Sequence, residues 1–165
     1  MSIPGVDRPG TRMGIPALPF CHVQLTAKIP DHRYPKALSS LGDHLRKRRL
    51  DLGLYQMDVA ARVGADTKTV TNWELNRTEP DLAHLPALLA FLGFDPRPEG
   101  QTFGERLYRA RTAKGLSHRD LARLIEVDES TVWKWEDGRH RPMGRLLDRL
   151  CEVLPETEDR AGQLG

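Results

Sequence analysis

A chain of 165 residues with 39% hydrophobic and 29% charged residues has room for one ordinary domain or two small ones. Its two cysteines, Cys21 and Cys151, are too few and too far apart for a disulfide framework, and no apolar run is long enough for a signal-peptide core or a membrane span. The reading is a cytoplasmic, non-membrane protein, and the net charge of +2 decides little about a nucleic-acid partner, whose mark is a local basic patch.

Residues 1–36 form an N-terminal arm, with Pro and Gly frequent over the first 19. From His22 to Ile29 polar and apolar residues alternate, the period of a half-buried strand. A lone strand in a helical chain needs a partner, so a homodimer through this N-terminal strand is expected. Arg8, Arg12, Lys28, Arg33 and Lys36 make the arm basic, either a solvated tail or a segment that follows phosphates. Cys21, His22 and His32 lack ligand-pair spacing, so neither a metal nor a cofactor is expected.

From Leu41 onward the chain repeats itself. Residues 41–92 align without a gap on residues 103–154 at a constant offset of 62, matching Gly42 with Gly104, Leu54 with Leu116, Val70 with Val132, Trp73 with Trp135 and Pro80 with Pro142. Such a repeat means one supersecondary unit built twice. The first copy, 37–94, opens with a helix carrying Leu41, Leu45 and Leu52 on one face and Arg46 to Arg49 mostly on the other, stopped by Gly53. A short helix follows from about Gln56, with Val59, Ala60 and Val63 apolar. Asp66 is placed to cap a third helix over 67–75, in which Val70 and Trp73 point inward while Thr67, Lys68, Thr71 and Asn72 face out. After Pro80, Leu82, Leu85, Leu88, Leu89 and Leu92 make a fourth, amphipathic helix.

A Pro-rich linker, 95–101, is too short to be a floppy tether. The second copy, 102–154, starts its second helix at Ser117, where Ser117 and Asp120 resemble a capping box. Cys151 stands where the first copy has Leu89 and reads as a small core residue. A tail, 155–165, ends the chain. The fold class expected is all-α: two tandem small helical domains of about four to five helices each, preceded by an arm with one β-strand.

Two short helices joined by a tight turn form the helix-turn-helix arrangement. Leu54 to Ala60 with Thr69 to Glu74, and Leu116 to Ala122 with Thr131 to Gly138, resemble the phage repressor/Cro type of that motif. The resemblance implies sequence-specific binding of double-stranded DNA, with the third helix of each copy in the major groove. By motif position it makes Thr67, Lys68, Thr71 and Asn72 base readers in the first copy, over recognition helix 67–75. It places Glu129, Ser130 and Lys134 there in the second, over 129–136. It assigns Gln56, Asn76, Arg77, His118, Arg139 and Arg141 to the DNA backbone. The chemistry is consistent, since Asn suits adenine, Lys suits guanine and a Thr methyl suits thymine.

The copies differ on the outward face. Glu129 either accepts from a cytosine amino group or repels phosphate, and Trp133, standing where the first copy has Thr71, is an interface candidate. The function the resemblance implies is a transcriptional repressor or autoregulator, cytoplasmic and associated with the bacterial nucleoid. The alternatives are an antitoxin or mobile-element accessory DNA-binding protein, or a protein-interaction module derived from helix-turn-helix units. No motif brings together a nucleophile, a base and an oxyanion donor, so an enzyme is not expected.

Overall fold

The computed structural model describes residues 33–157. Among the described residues eight α-helices run in chain order: α1 Leu41–Asp51, α2 Gln56–Val63, α3 Thr67–Glu74, α4 Leu85–Leu92, α5 Phe103–Ala113, α6 His118–Leu124, α7 Glu129–Glu136 and α8 Arg145–Val153, with a 3-10 turn over Pro155–Thr157. No strand occurs among the described residues. For the described residues the expected fold class is thereby corrected to all-α without a strand, because every described element closes its own backbone hydrogen bonds and none offers an edge for a strand to pair with. Segment 22–29, where the strand was placed, lies outside the described residues, and nothing among the described residues supports the strand-mediated homodimer.

Apolar periodicity builds two cores rather than one. Leu45, Val59, Ala60, Val63, Val70, Trp73 and Leu88 form the first. Each has a counterpart 62 residues later in the second: Leu107, Leu121, Ala122, Ile125, Val132, Trp135 and Leu150, joined there by Ala110 and Leu154. Fully burying one Leu or Val contributes roughly 1.5–3 kcal/mol. Leu52 departs from its expected place: α1 stops at Asp51, so Leu52 becomes the C-cap and stays 46% exposed.

Helix starts follow local chemistry. Ser40, Thr102 and Ser117 each accept from a backbone N–H three residues on, and Asp43, Glu105 and Asp120 return a bond to the cap backbone. Asp66 has the extended backbone of an N-cap, yet its side chain makes no capping bond. Glycine matters most at Gly42 and Gly104. A Cβ there would lie 1.9 Å from the Trp73 carbonyl oxygen and 2.2 Å from that of Glu136, so each first helix meets the end of the third backbone to backbone.

The two domains touch through α4 and α5. At the turn after α5, Gly115 sits against Pro86 and the Leu82 carbonyl. The linker is fastened as well. Arg97 donates to the Asp95 carboxylate, to Thr112 Oγ1 at 2.7 Å and to the Arg109 carbonyl at 3.1 Å, while Arg109 Nε reaches Asp95 at 3.1 Å.

Candidate nucleic-acid interface

In the first domain α2, the turn Gly64-Ala65-Asp66 and α3 form the two-helix unit, and the apolar side of α3 is spent on the core through Val70 and Trp73. Thr67 and Lys68, in its first turn, are exposed, while Thr71 and Asn72 are half-buried. Thr71 turns toward α2 rather than out: its Oγ1 lies 2.9 Å from Gln56 Oε1 and 2.8 Å from the Thr67 carbonyl. Gln56 in turn donates to Glu74 Oε2 at 3.0 Å, so both ends of its amide are engaged inside the domain.

Glu74 is the anchor of this network. Arg49 donates to it through Nε at 2.6 Å and through a terminal nitrogen at 2.8 Å, and gives a third bond to the Leu54 carbonyl. The pair ties α1 to the end of α3 and sits almost out of water, with 12% and 2% of the side chains exposed. Sequence reasoning placed Arg49 on the solvated face. The signal that would have found the pair is its repetition, as Arg111 and Glu136, at the same offset.

Asn76 follows α3 with a left-handed backbone, φ 55°, which Asn tolerates better than most residues. Its amide donates to Asp43 Oδ1 at 3.1 Å and accepts from Ser40 Oγ at 2.7 Å, holding the start of α1. Burial raises the Asp43 carboxyl, but bonds from Ser40, Asn76 and Ser39 outweigh that and leave it below the ordinary carboxylate value. Arg77 is exposed beside it.

In the second domain Glu129, Ser130 and Lys134 are all exposed on α7. Arg111 donates to Glu136 at 2.6 and 3.0 Å and to the Leu116 carbonyl at 2.7 Å, repeating the first network. His118 takes the place of Gln56, with Nε2 2.8 Å from Glu136 Oε2. Its ring stacks on Trp133 at 4.0 Å with 14° between the planes. Trp133 is nevertheless 55% exposed. Arg139 pairs with Asp137 in a mostly exposed contact, and Arg141 lies 5.1 Å over the Phe103 ring. Among the described residues no cluster of His, Cys, Asp and Glu is arranged to hold a metal ion, and no helix is long and apolar enough to cross a membrane. Cys151 is a free, half-buried thiol on α8.

A short helix pair whose second member presents polar side chains on a braced scaffold thus occurs twice. Family models agree: one described as Helix-turn-helix matches residues 45–98, and one described as Helix-turn-helix domain matches residues 102–162. The chain belongs to the helix-turn-helix family, in two tandem copies of the phage repressor/Cro type. It is similar to the SPbeta prophage-derived uncharacterized HTH-type transcriptional regulator YonR of Bacillus subtilis (strain 168), 33% identical over 57 residues. That match covers 34% of this chain and 53% of the relative, so the chain spans about half the length of the protein it resembles. No solved structure matches it.

Proposed function

We propose that this chain is a sequence-specific double-stranded DNA-binding protein that regulates transcription, a repressor or autoregulator that acts by occupying a promoter, in the bacterial cytoplasm at the nucleoid. The observation that carries the reading is the first turn of α3, where Thr67 and Lys68 stand exposed at the leading end of a helix braced from behind by Thr71, Gln56, Glu74 and Arg49. A helix so presented fits the major groove, where Lys68 and Asn72 would meet base edges. Arg77 and Arg139, both exposed, are suited to phosphate, which sets register without reading sequence. Gln56, His118 and Asn76 act in this reading mainly by holding the reading helices in place. The printed name of the Bacillus relative, a transcriptional regulator, supports the same function.

The test begins with selection of bound fragments from random duplex DNA. Lys68→Ala with Asn72→Ala should then weaken binding to the recovered site by roughly 1–3 kcal/mol for each lost base contact. A silent double variant would show that α3 is not the reader. Glu129→Ala with Lys134→Ala asks the same of α7. A recovered site with two unlike halves means that both domains read, whereas a palindrome means that one does. The competing reading, a protein-interaction module, is favoured by the exposed Trp133 and the acidic start of α7 at Asp128 and Glu129. It predicts no steep loss of DNA affinity with salt, while phosphate contacts require one.

A further inference from the structure

The second domain contains a cleft of about 1020 Å³. That is at the upper end of the roughly 300–1,000 Å³ usual for small-molecule sites. The linker supplies one wall, α5 another through Tyr108, and α7 a third through Trp133. Both rings are large and open to solvent, 54% and 55% exposed, whereas the other two tryptophans, Trp73 and Trp135, are 3% exposed in the cores. His118 covers one face of the Trp133 indole and is itself held by Glu136, so the indole is fixed with surface to spare toward the cleft. In the first domain the positions of Tyr108, His118 and Trp133 are held by Arg46, Gln56 and Thr71.

The charges around the cleft leave one cation for an anion to meet. Arg97 and Arg109 share the single carboxylate of Asp95, and Lys134 forms no ion pair among the described residues. Of the acids, Glu136 is matched by Arg111, Asp137 by Arg139, and Glu105 is spent on the backbone N–H groups of Gln101 and Thr102. Counted together, Arg97, Arg109, Arg111, Lys134 and Arg139 balance Asp95, Glu99, Glu105, Glu136 and Asp137, so the pull on an anion is local to Lys134 rather than spread over the cleft.

We propose that the cleft binds a small planar aromatic carboxylate, its ring stacked on Trp133 and its carboxylate toward Lys134, and that an occupied cleft removes the outer face of α7 from DNA. The second half rests on the DNA-binding function proposed above; the first half does not. Calorimetric titration of the full chain with 2-naphthoate, 2-naphthamide and cyclohexanecarboxylate tests the site. Naphthoate should bind once per chain, about tenfold more tightly than the non-aromatic acid, the order of an aromatic stacking contribution. Trp133→Ala should abolish that advantage while Trp133→Phe keeps most of it. Lys134→Ala should remove a preference of about threefold to fivefold for naphthoate over its uncharged amide, as expected of one exposed ion pair. No saturable binding at millimolar naphthoate, or equal binding by wild type and Trp133→Ala, overturns the site. In a DNA titration, naphthoate should weaken the wild-type complex and leave Trp133→Ala unaffected. A complex that forms normally and ignores bound naphthoate overturns the coupling alone, and a chain that binds no DNA at all overturns the regulatory reading while the calorimetry still decides the cleft.

Discussion

Arg49 and Arg111 are the side chains on which α3 and α7 depend for their placement, because each is the largely buried partner of an acid at the end of that helix. A buried ion pair is a weak source of net stability, but removing one member strands the other charge away from water at about 3–5 kcal/mol. A large share of a small domain's stability is involved, since whole domains are held by only about 5–15 kcal/mol. Arg49→Leu should therefore lower the first domain's urea midpoint sharply, and adding Glu74→Leu should restore more than half of the loss, since no unpaired charge then remains. Urea unfolding followed by far-ultraviolet circular dichroism measures both. A single variant costing under about 1 kcal/mol, the worth of an exposed pair, would show that water reaches Glu74 freely.

Among the elements, α4 begins in a way α8 does not. His84, its N-cap, places Nδ1 2.5 Å from Asp81 Oδ1 and Nε2 3.2 Å from the Gly64 carbonyl, and its ring meets Trp73 edge-on at 5.4 Å. Both nitrogens can donate only in the imidazolium, and the Asp81 bond, against some burial, raises His84 above its ordinary 6.5. A raised folded-state value means that the contribution is complete below 6.5 and is lost as pH rises through the folded value. The first domain's melting temperature should fall over that rise and stay flat in His84→Gln. A step of equal size in His84→Gln would assign it to another group. The contrast also shows what the sequence made legible. Helix positions were readable because Gly53, Pro80 and Ser117 punctuate a clear apolar period, and the exposed turn at Thr67 and Lys68 follows from Val70 and Trp73 facing inward. The inward reach of Arg49 and the turn of Thr71 toward Gln56 were not, because a charged or polar side chain beside a helix's apolar stripe can go either way until its partner is located. The cleft was less legible still, since it exists only once the linker lies against α5.

At the scale of the whole chain, the linker joins the first domain to the second, and what fixes it is side-chain chemistry more than its prolines. Asp95 receives Arg97 and Arg109 together, and Arg97 goes on to Thr112 and the Arg109 carbonyl, so four residues join the end of the first domain to α5. Burial raises the Asp95 carboxyl, but the Arg97 hydrogen bonds and the charges of Arg97 and Arg109 prevail and hold it below the ordinary 3.8. With a depressed value the clamp's contribution is fully present above 3.8 and is lost as pH falls through the lower folded value. The stability gap between wild type and Asp95→Asn should accordingly narrow as the solution is acidified. Its functional consequence appears at neutral pH. If both domains read, inserting base pairs between half-sites should penalise the wild type at every step, because a fixed linker cannot follow the displaced groove. Asp95→Ala should bind the unaltered site with little change and tolerate the insertions better, having exchanged a set geometry for an adjustable one. Binding measured across a series of spacings decides the matter: if the two proteins give parallel penalties, the contact of α4 with α5, and not the clamp, sets the geometry.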